Sequence, residues 1–210
     1  MPSFIVVLLT DSKKIKRTMK LNDKEIREAL INYISRLSHK PSRIVEELHI
    51  HRGNAIADVV ALHKEPHCYE IKGENDNINR LKRQGFYYDQ AFRKITLVTT
   101  KIKLKKALEE CPKYWGIIVA ECIEGTVKLK PYRKAGNSSF YNKEIALQTL
   151  WKDEMLSMIS KCNLDISTKL NKMHLAKDIA MKTTVKDVQE TISQTLTKRS
   201  PRLQESSLDK

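Results

Sequence analysis

The chain has 210 residues, 40% of them hydrophobic, which suits one core of ordinary size plus an appendage, because single cores settle near ~100–150 residues. Its 39 Lys and Arg against 25 Asp and Glu give a net charge of +14, which favours a polyanionic partner, nucleic acid first, whose counterions would be released on binding. The four cysteines, Cys68, Cys111, Cys122 and Cys162, lack the close pairing of zinc sites or disulfide frameworks and read as reduced thiols of a cytoplasmic protein.

Residues 1–20 are expected to form an N-terminal extension. Its apolar run at 2–10 has no basic residue before it and falls well short of the ~20 residues needed to cross a bilayer, so no membrane partner is expected. Either the run adds an edge strand, or Met19 is the natural start. Asn22 with Glu25 then fits a capping box, and Ile26, Ala29, Leu30, Tyr33, Ile34 and Leu37 recur at helical spacing. The segments 43–50 and 55–62 are apolar and β-branched about an Arg52-Gly53-Asn54 turn and predict a hairpin. A third strand is expected at 67–73, where Tyr69 and Ile71 alternate with Glu70 and Lys72.

A helix follows from about Asn77 to Phe92, with Ile78, Leu81, Gly85 and Tyr88 inward, and then a doubly buried strand at 94–100. A basic helix near Ile102–Glu110, a strand at 114–121 and an edge strand at 125–132 complete a core over 21–138. From Ser139 to Lys198 the pattern is helical, at 145–159, 170–180 and 185–196, and predicts a helical subdomain. Residues 199–210 read as a disordered tail. The fold class is therefore α/β, with a mixed central sheet and a C-terminal helical extension.

The chemistry concentrates in Asp58, within an apolar strand, and in Glu70-Ile71-Lys72. A buried aspartate is costly unless cations or donors compensate it. Residues two apart on a strand share a face, so Glu70 and Lys72 project together, and a hairpin neighbour would bring Asp58 beside them. Two converging carboxylates suit Mg²⁺, with Mn²⁺ as an alternative, which would polarise a phosphodiester and activate a water that Lys72 orients or deprotonates. On the following helix Gln84 and Tyr88 stand one turn apart on a common face.

This arrangement resembles the PD-(D/E)XK, restriction-endonuclease-like phosphodiesterases. Their signature is Asp, a variable gap, then Glu-x-Lys on adjacent strands of an αβββαβ core. The pair Gln84 and Tyr88 is similar to the Gln-x-x-x-Tyr element of RecB-like nucleases, which faces DNA. Residues 22–198 further resemble a family of small standalone members in bacteria and phages. The resemblance implies a metal-dependent nuclease acting on nucleic acid, most of all DNA. Its catalytic set would be Asp58, Glu70, Lys72, Gln84 and Tyr88, and its metal set Asp58, Glu70, the intervening Ile71 and one further acid. Glu47 is the favoured extra acid, and Glu28 on the first helix is the alternative; Glu46 and Glu47 should face opposite sides of their strand, so at most one can join.

Arg80, Lys82 and Arg83 are the expected nucleic-acid contacts, with Arg93, Lys94, Lys101, Lys103, Lys105 and Lys106 beyond them. Phe86, Tyr87 and Tyr88 are candidates for stacking on unpaired bases, with one of them expected in the core. His49, His51, His63 and His67 form no metal-ligand spacing, and there is no phosphate loop or nucleophile elbow. The competing functional class is a non-catalytic nucleic-acid-binding or phage or defence accessory module on the same fold, with the C-terminal helices docking a protein partner or forming a homodimer.

Overall fold

The computed structural model describes residues 20–200. The expectations for an N-terminal strand or a start at Met19, and for most of the C-terminal tail, concern residues outside that range.

Helix α1 (Asp23–Ser35) begins as its sequence predicts. The Asn22 side chain accepts from the Glu25 N–H at 3.0 Å, and the Glu25 carboxylate accepts from the Asn22 N–H at 2.9 Å. Its buried stripe is Ile26, Leu30 and Ile34. Six strands follow: β1 (Arg43–Ile50), β2 (Ala55–Leu62), β3 (Pro66–Lys72), β4 (Lys94–Thr100), β5 (Gly116–Ile123) and β6 (Thr126–Arg133). They lie in one sheet in sequence order, β1 to β6. The β1–β2, β2–β3 and β5–β6 pairs are antiparallel, whereas β3–β4 and β4–β5 are parallel. Each parallel step needs a crossover, supplied by α2 (Leu81–Ala91) and α3 (Leu104–Glu110).

The sheet separates two apolar layers. On one side Ile26, Leu30 and Ile34 of α1 pack on Val59, Ala61, Tyr69, Ile71, Val98 and Ile118. On the other, Leu81 and Tyr88 of α2 meet Val60, Leu62, Cys68, Ile95 and Leu97. This second cluster also takes in the C-terminal helices α4 (Lys143–Leu147), α5 (Lys152–Lys161), α6 (Lys172–Lys182) and α7 (Val185–Lys198). The helical residues 139–198 thus share the apolar cluster of the α2 side of the sheet. The long helix expected over 145–159 is two helices, because the Trp151 N–H is taken by the Glu154 carboxylate at 2.7 Å, which starts a new helix there.

Arg199, expected to open a disordered tail, is buried. Its guanidinium donates to Glu154 at 2.8 and 2.5 Å and lies 4.3 Å over the Trp151 ring. Among the described residues no helix is long and apolar enough to cross a membrane.

Two local features position the site. Glu47 has φ +53°, and the β1–β2 pairing passes from Glu46↔Val59 to Leu48↔Ala57, skipping the Glu47–Asp58 level. Core-facing residues are Val45, then Leu48 and Ile50, on β1, and Ala55 and Ala57, then Val60 and Leu62, on β2. Both strands thus lose one step of alternation at the same level, which keeps their register while re-aiming the side chains there. The second feature is Gly73, just after β3. A Cβ there would lie 2.9 Å from the Leu21 carbonyl oxygen, and the Glu74 N–H donates to that same oxygen at 3.0 Å. The end of β3 is therefore pinned against the start of α1.

His67 supports the far end of β3. Its ring stacks on Tyr69 with centroids 4.4 Å apart, and its Nε2 pairs with the Thr96 hydroxyl at 2.8 Å. Burial, reinforced by His63 and Lys94, pushes its pKa from 6.5 down to about 3. The folded protein thus refuses a proton that the unfolded chain accepts. The contribution is whole above the unfolded pKa and is lost as pH falls through the window between the two values. His67→Gln is expected to flatten the loss of stability between pH 6.5 and 4.5, where the wild type should lose on the order of 1.4 kcal/mol per pH unit from this group. Urea denaturation of both proteins across that range checks it, and parallel pH profiles would refute it.

Candidate active site

The β2–β3 ladder runs from Leu62↔Pro66 to Val59↔Tyr69 and then opens, while β3 stays paired with β4 through Lys72↔Thr99. Asp58 sits at the opening. One of its carboxylate oxygens accepts from the Ile71 N–H at 2.7 Å, taking the place of the lost ladder partner, and the other lies 3.6 Å from the Arg27 guanidinium of α1. Arg27 also donates to the Asp58 carbonyl at 3.1 Å. Burial raises the Asp58 pKa, opposed by the Ile71 N–H and by Lys72.

Glu70 and Lys72 share the α2 face of β3, as the two-residue period requires, in register with Leu97 and Thr99 of β4. Glu70 is 0% exposed and Lys72 9%. The Lys72 ammonium donates to one Glu70 oxygen; the other Glu70 oxygen is buried without a hydrogen-bond partner. Burial and the neighbouring Asp58 push the Glu70 pKa up to about 7, against the pull of Lys72 and Tyr88. Both carboxylates are therefore held where their charged forms are disfavoured, which is the situation a bound cation relieves. The orphaned Glu70 oxygen and the Asp58 carboxylate fit such an ion.

Helix α2 brings Gln84 and Tyr88 to the same side. The Gln84 carbonyl oxygen is buried without a hydrogen-bond partner. Tyr88 is fully buried, and its hydroxyl donates to the Ile56 carbonyl at 2.7 Å. Tyr88, expected among the catalytic residues, ties α2 to the hairpin and lies beside Glu70; burial, reinforced by the Glu70 charge, raises its pKa. The Ile71 side chain is buried in the α1-side core, which leaves only its main chain for the site.

Glu47 does not join the two carboxylates. Its side chain is 72% exposed and sits 3.8 Å from Arg27, as does that of Glu46. The positive φ at Glu47 is the reason both acids end on one side, where a regular strand would send them to opposite faces. Glu28 is exposed on α1. Among the described residues no group of three or more His, Cys, Asp or Glu side chains converges as a metal site, so any ion would rest on two carboxylates plus main chain and water. Arg80, Lys82 and Arg83 are all exposed, and Lys82 reaches Glu110 of α3 at 3.1 Å.

The residue that sequence reasoning missed is Arg27. It bonds Asp23 at 3.0 Å, one turn earlier on α1, and faces Glu46, Glu47 and Asp58. Only the Asp23–Arg27 spacing was visible in the sequence.

Against known proteins, the sequence model of a family described as "Bacteriophage P4 protein cII" matches residues 16–208. The chain belongs to the phage P4 cII family. One curated family relative, "Protein cII" of Enterobacteria phage P4, is 22% identical over 153 residues, covering 72% of this chain. The match spans 58% of that relative, so this chain accounts for little more than half of its length. A solved structure of a protein of unknown function from Silicibacter pomeroyi is 16% identical and covers 61% of this chain and 84% of its own, with a TM-score of 0.36.

A double-mutant cycle with Arg27→Met and Asp58→Asn, read by denaturant unfolding, is expected to give a coupling energy of about 1 kcal/mol or more, as for a part-buried charge pair with an added main-chain bond. Strict additivity would mean that Asp23 and the two glutamates hold Arg27 without Asp58.

Proposed function

We propose that this protein is a metal-dependent nuclease that hydrolyses phosphodiester bonds, with DNA as the first substrate class, on a restriction-endonuclease-like core. The observation that carries the reading is the convergence of Asp58, Glu70 and Lys72 where the β2–β3 ladder opens, with one Glu70 oxygen buried and unpartnered. Support also comes from the element order α1-β1-β2-β3-α2-β4 with its antiparallel-then-parallel pairing, which is the order that the Asp and Glu-x-Lys signature accompanies. The net charge of +14 and the exposed Arg80, Lys82 and Arg83 suit a polyanion.

Asp58, Glu70 and the Ile71 main chain would hold Mg²⁺ or Mn²⁺, which as a Lewis acid supplies charge stabilisation at the scissile phosphate and makes water more acidic. The chain's own groups do the rest. The Lys72 ammonium would orient the attacking water and offset charge that grows on the phosphate oxygens as the water oxygen bonds to phosphorus, its proton passes to solvent and the leaving oxygen departs. Gln84 offers its side-chain amide to the same phosphate. Tyr88 and Arg27 act from either side of the sheet by fixing the hairpin and Asp58.

A second reading is a nucleic-acid-binding module without catalysis. It is favoured by the engagement of both carboxylates inside the protein, Glu70 by Lys72 and Asp58 by Arg27 and the Ile71 N–H.

Purified wild type is expected to cleave at least one member of a panel of linear, circular, branched and single-stranded DNA and RNA with Mg²⁺ or Mn²⁺, and none in EDTA. Asp58→Ala, Glu70→Ala and Lys72→Ala should each lower the rate on the order of 10²-fold or more while still unfolding cooperatively. Retained cleavage by Glu70→Ala would overturn the nuclease reading. Salt-sensitive binding without cleavage by any form would favour the second.

A further inference from the structure

Next to the site, the outer surface of α2 carries side chains that the chemistry above does not use. Phe86 is 63% exposed, on a helix whose apolar stripe of Leu81, Gly85, Tyr88 and Ala91 faces the core. Its ring meets Tyr87 edge-on, with centroids 5.5 Å apart and planes at 75°. Tyr87 in turn meets His51 at 4.9 Å and 67°. The hairpin tip presents His51 in an unusual way, since His51 and Arg52 both have left-handed φ values, +48° and +60°. Two successive non-glycine residues in that region carry a conformational cost that the surrounding structure has to sustain. The cost goes into setting an imidazole against Tyr87, and burial lowers the His51 pKa, which favours a neutral ring.

Cations interleave with these rings. Arg83 and Lys82 stand three and four residues before Phe86, one turn away on the same surface, and both are exposed, as are Arg80 and Arg52. An exposed ring among several cations is poorly suited to an apolar protein interface, whose centre is depleted of charge. It suits a nucleobase with phosphates on either side. In a duplex the base faces are hidden in the stack, so only an unpaired nucleotide can offer one to Phe86.

We propose that the His51–Tyr87–Phe86 strip, with Arg52 and Arg83, binds single-stranded nucleic acid by stacking an unpaired base on Phe86. Arg83, Phe86 and Tyr87 of the strip share α2 with Gln84, so a strand held there would be led toward Glu70 and Lys72. Only that last step rests on the nuclease reading; the binding surface stands without it.

The test uses the full chain in EDTA at fixed, moderate salt, where no metal-dependent cleavage can occur. Fluorescence anisotropy compares a 15-nucleotide oligothymidylate with a duplex of equal length. Wild type is expected to prefer the single strand. Phe86→Ala should weaken single-strand binding about tenfold, within the range for losing one stacking partner, and leave duplex binding within about twofold. Phe86→Trp should restore it. Because Phe86 lies outside the core, the alanine variant should melt with the wild type, and Arg83→Gln gives an independent loss with a shallower salt dependence. Equal losses on both substrates, or no loss in the folded Phe86→Ala protein, would overturn the proposal. So would a wild-type preference for duplex, or a Phe86→Ala effect on self-association in sedimentation with no change in binding. Cleavage assays on Glu70→Ala decide the nuclease reading separately, so failure of either leaves the other standing.

Discussion

The burial of one carboxylate organises this fold. Glu70 lies at the middle of the sheet, sealed by α2 on its own face and flanked by Leu97 on β4, with a single ammonium to balance it and one oxygen unmatched. Leaving a charged oxygen without a partner in such a place costs at least the ~1–3 kcal/mol of an unmade hydrogen bond. The structure tolerates this because apolar packing on both faces of the sheet is continuous. The C-terminal helices matter for that reason: Leu147, Met155, Leu175 and Leu196 extend the same cluster that encloses Tyr88 and Trp115. Remove that cover, and Glu70 would be solvated, its pair with Lys72 weak, and its pKa ordinary.

The second carboxylate is held by a different device. Asp58 is not buried in a layer; it fills a gap in a ladder, satisfying the Ile71 N–H that β2 would otherwise have paired. The matched slips in β1 and β2 at Glu47 and Asp58 permit this without costing register. Clamps from the two layers then hold the region. From one side α1 brings Arg27 to the Asp58 carbonyl and carboxylate; from the other α2 brings the Tyr88 hydroxyl to Ile56. Gly73, which lets the end of β3 touch the start of α1, closes the frame.

Much of this was legible in the sequence, and the parts that were not share a cause. The cap of α1, the six strands, the alternation of Glu70 and Lys72 with Ile71 and the inward face of α2 depend on neighbours within a few residues, where period and propensity act directly. The conformation of Glu47 does not. Nothing in RIVEELHI requires a left-handed residue; it follows from the Asp58 level of the facing strand. Arg27 was invisible for a similar reason, since three of its four acidic neighbours come from other elements. Arg199 reads as the start of a polar tail, and only the fold brings Trp151 and Glu154 to it. The inward face of Tyr88 was legible, but its bond to the Ile56 carbonyl was not, because a tyrosine facing a site and one buried under it have the same spacing.

The charge arrangement carries one more consequence. The chain as a whole is strongly positive, and the cations of α2 would draw a nucleic acid in, yet the region around the ladder opening is negative: among the described residues Asp23, Glu46, Glu47, Asp58 and Glu70 pair with Arg27 and Lys72 alone. A phosphate approaching Glu70 would meet repulsion in a low-dielectric setting, where it is screened least. Under the nuclease reading, positive charge must enter that pocket before or with the substrate, so a metal-free protein should hold nucleic acid only on its outer surface. The strip formed by α2 and the hairpin tip carries Arg52, Lys82 and Arg83 in place of those acids, and in the proposed binding role it would need no metal. Under the two proposals together, attraction at the strip and exclusion at the carboxylates would separate binding from chemistry, with the ion as the link between them.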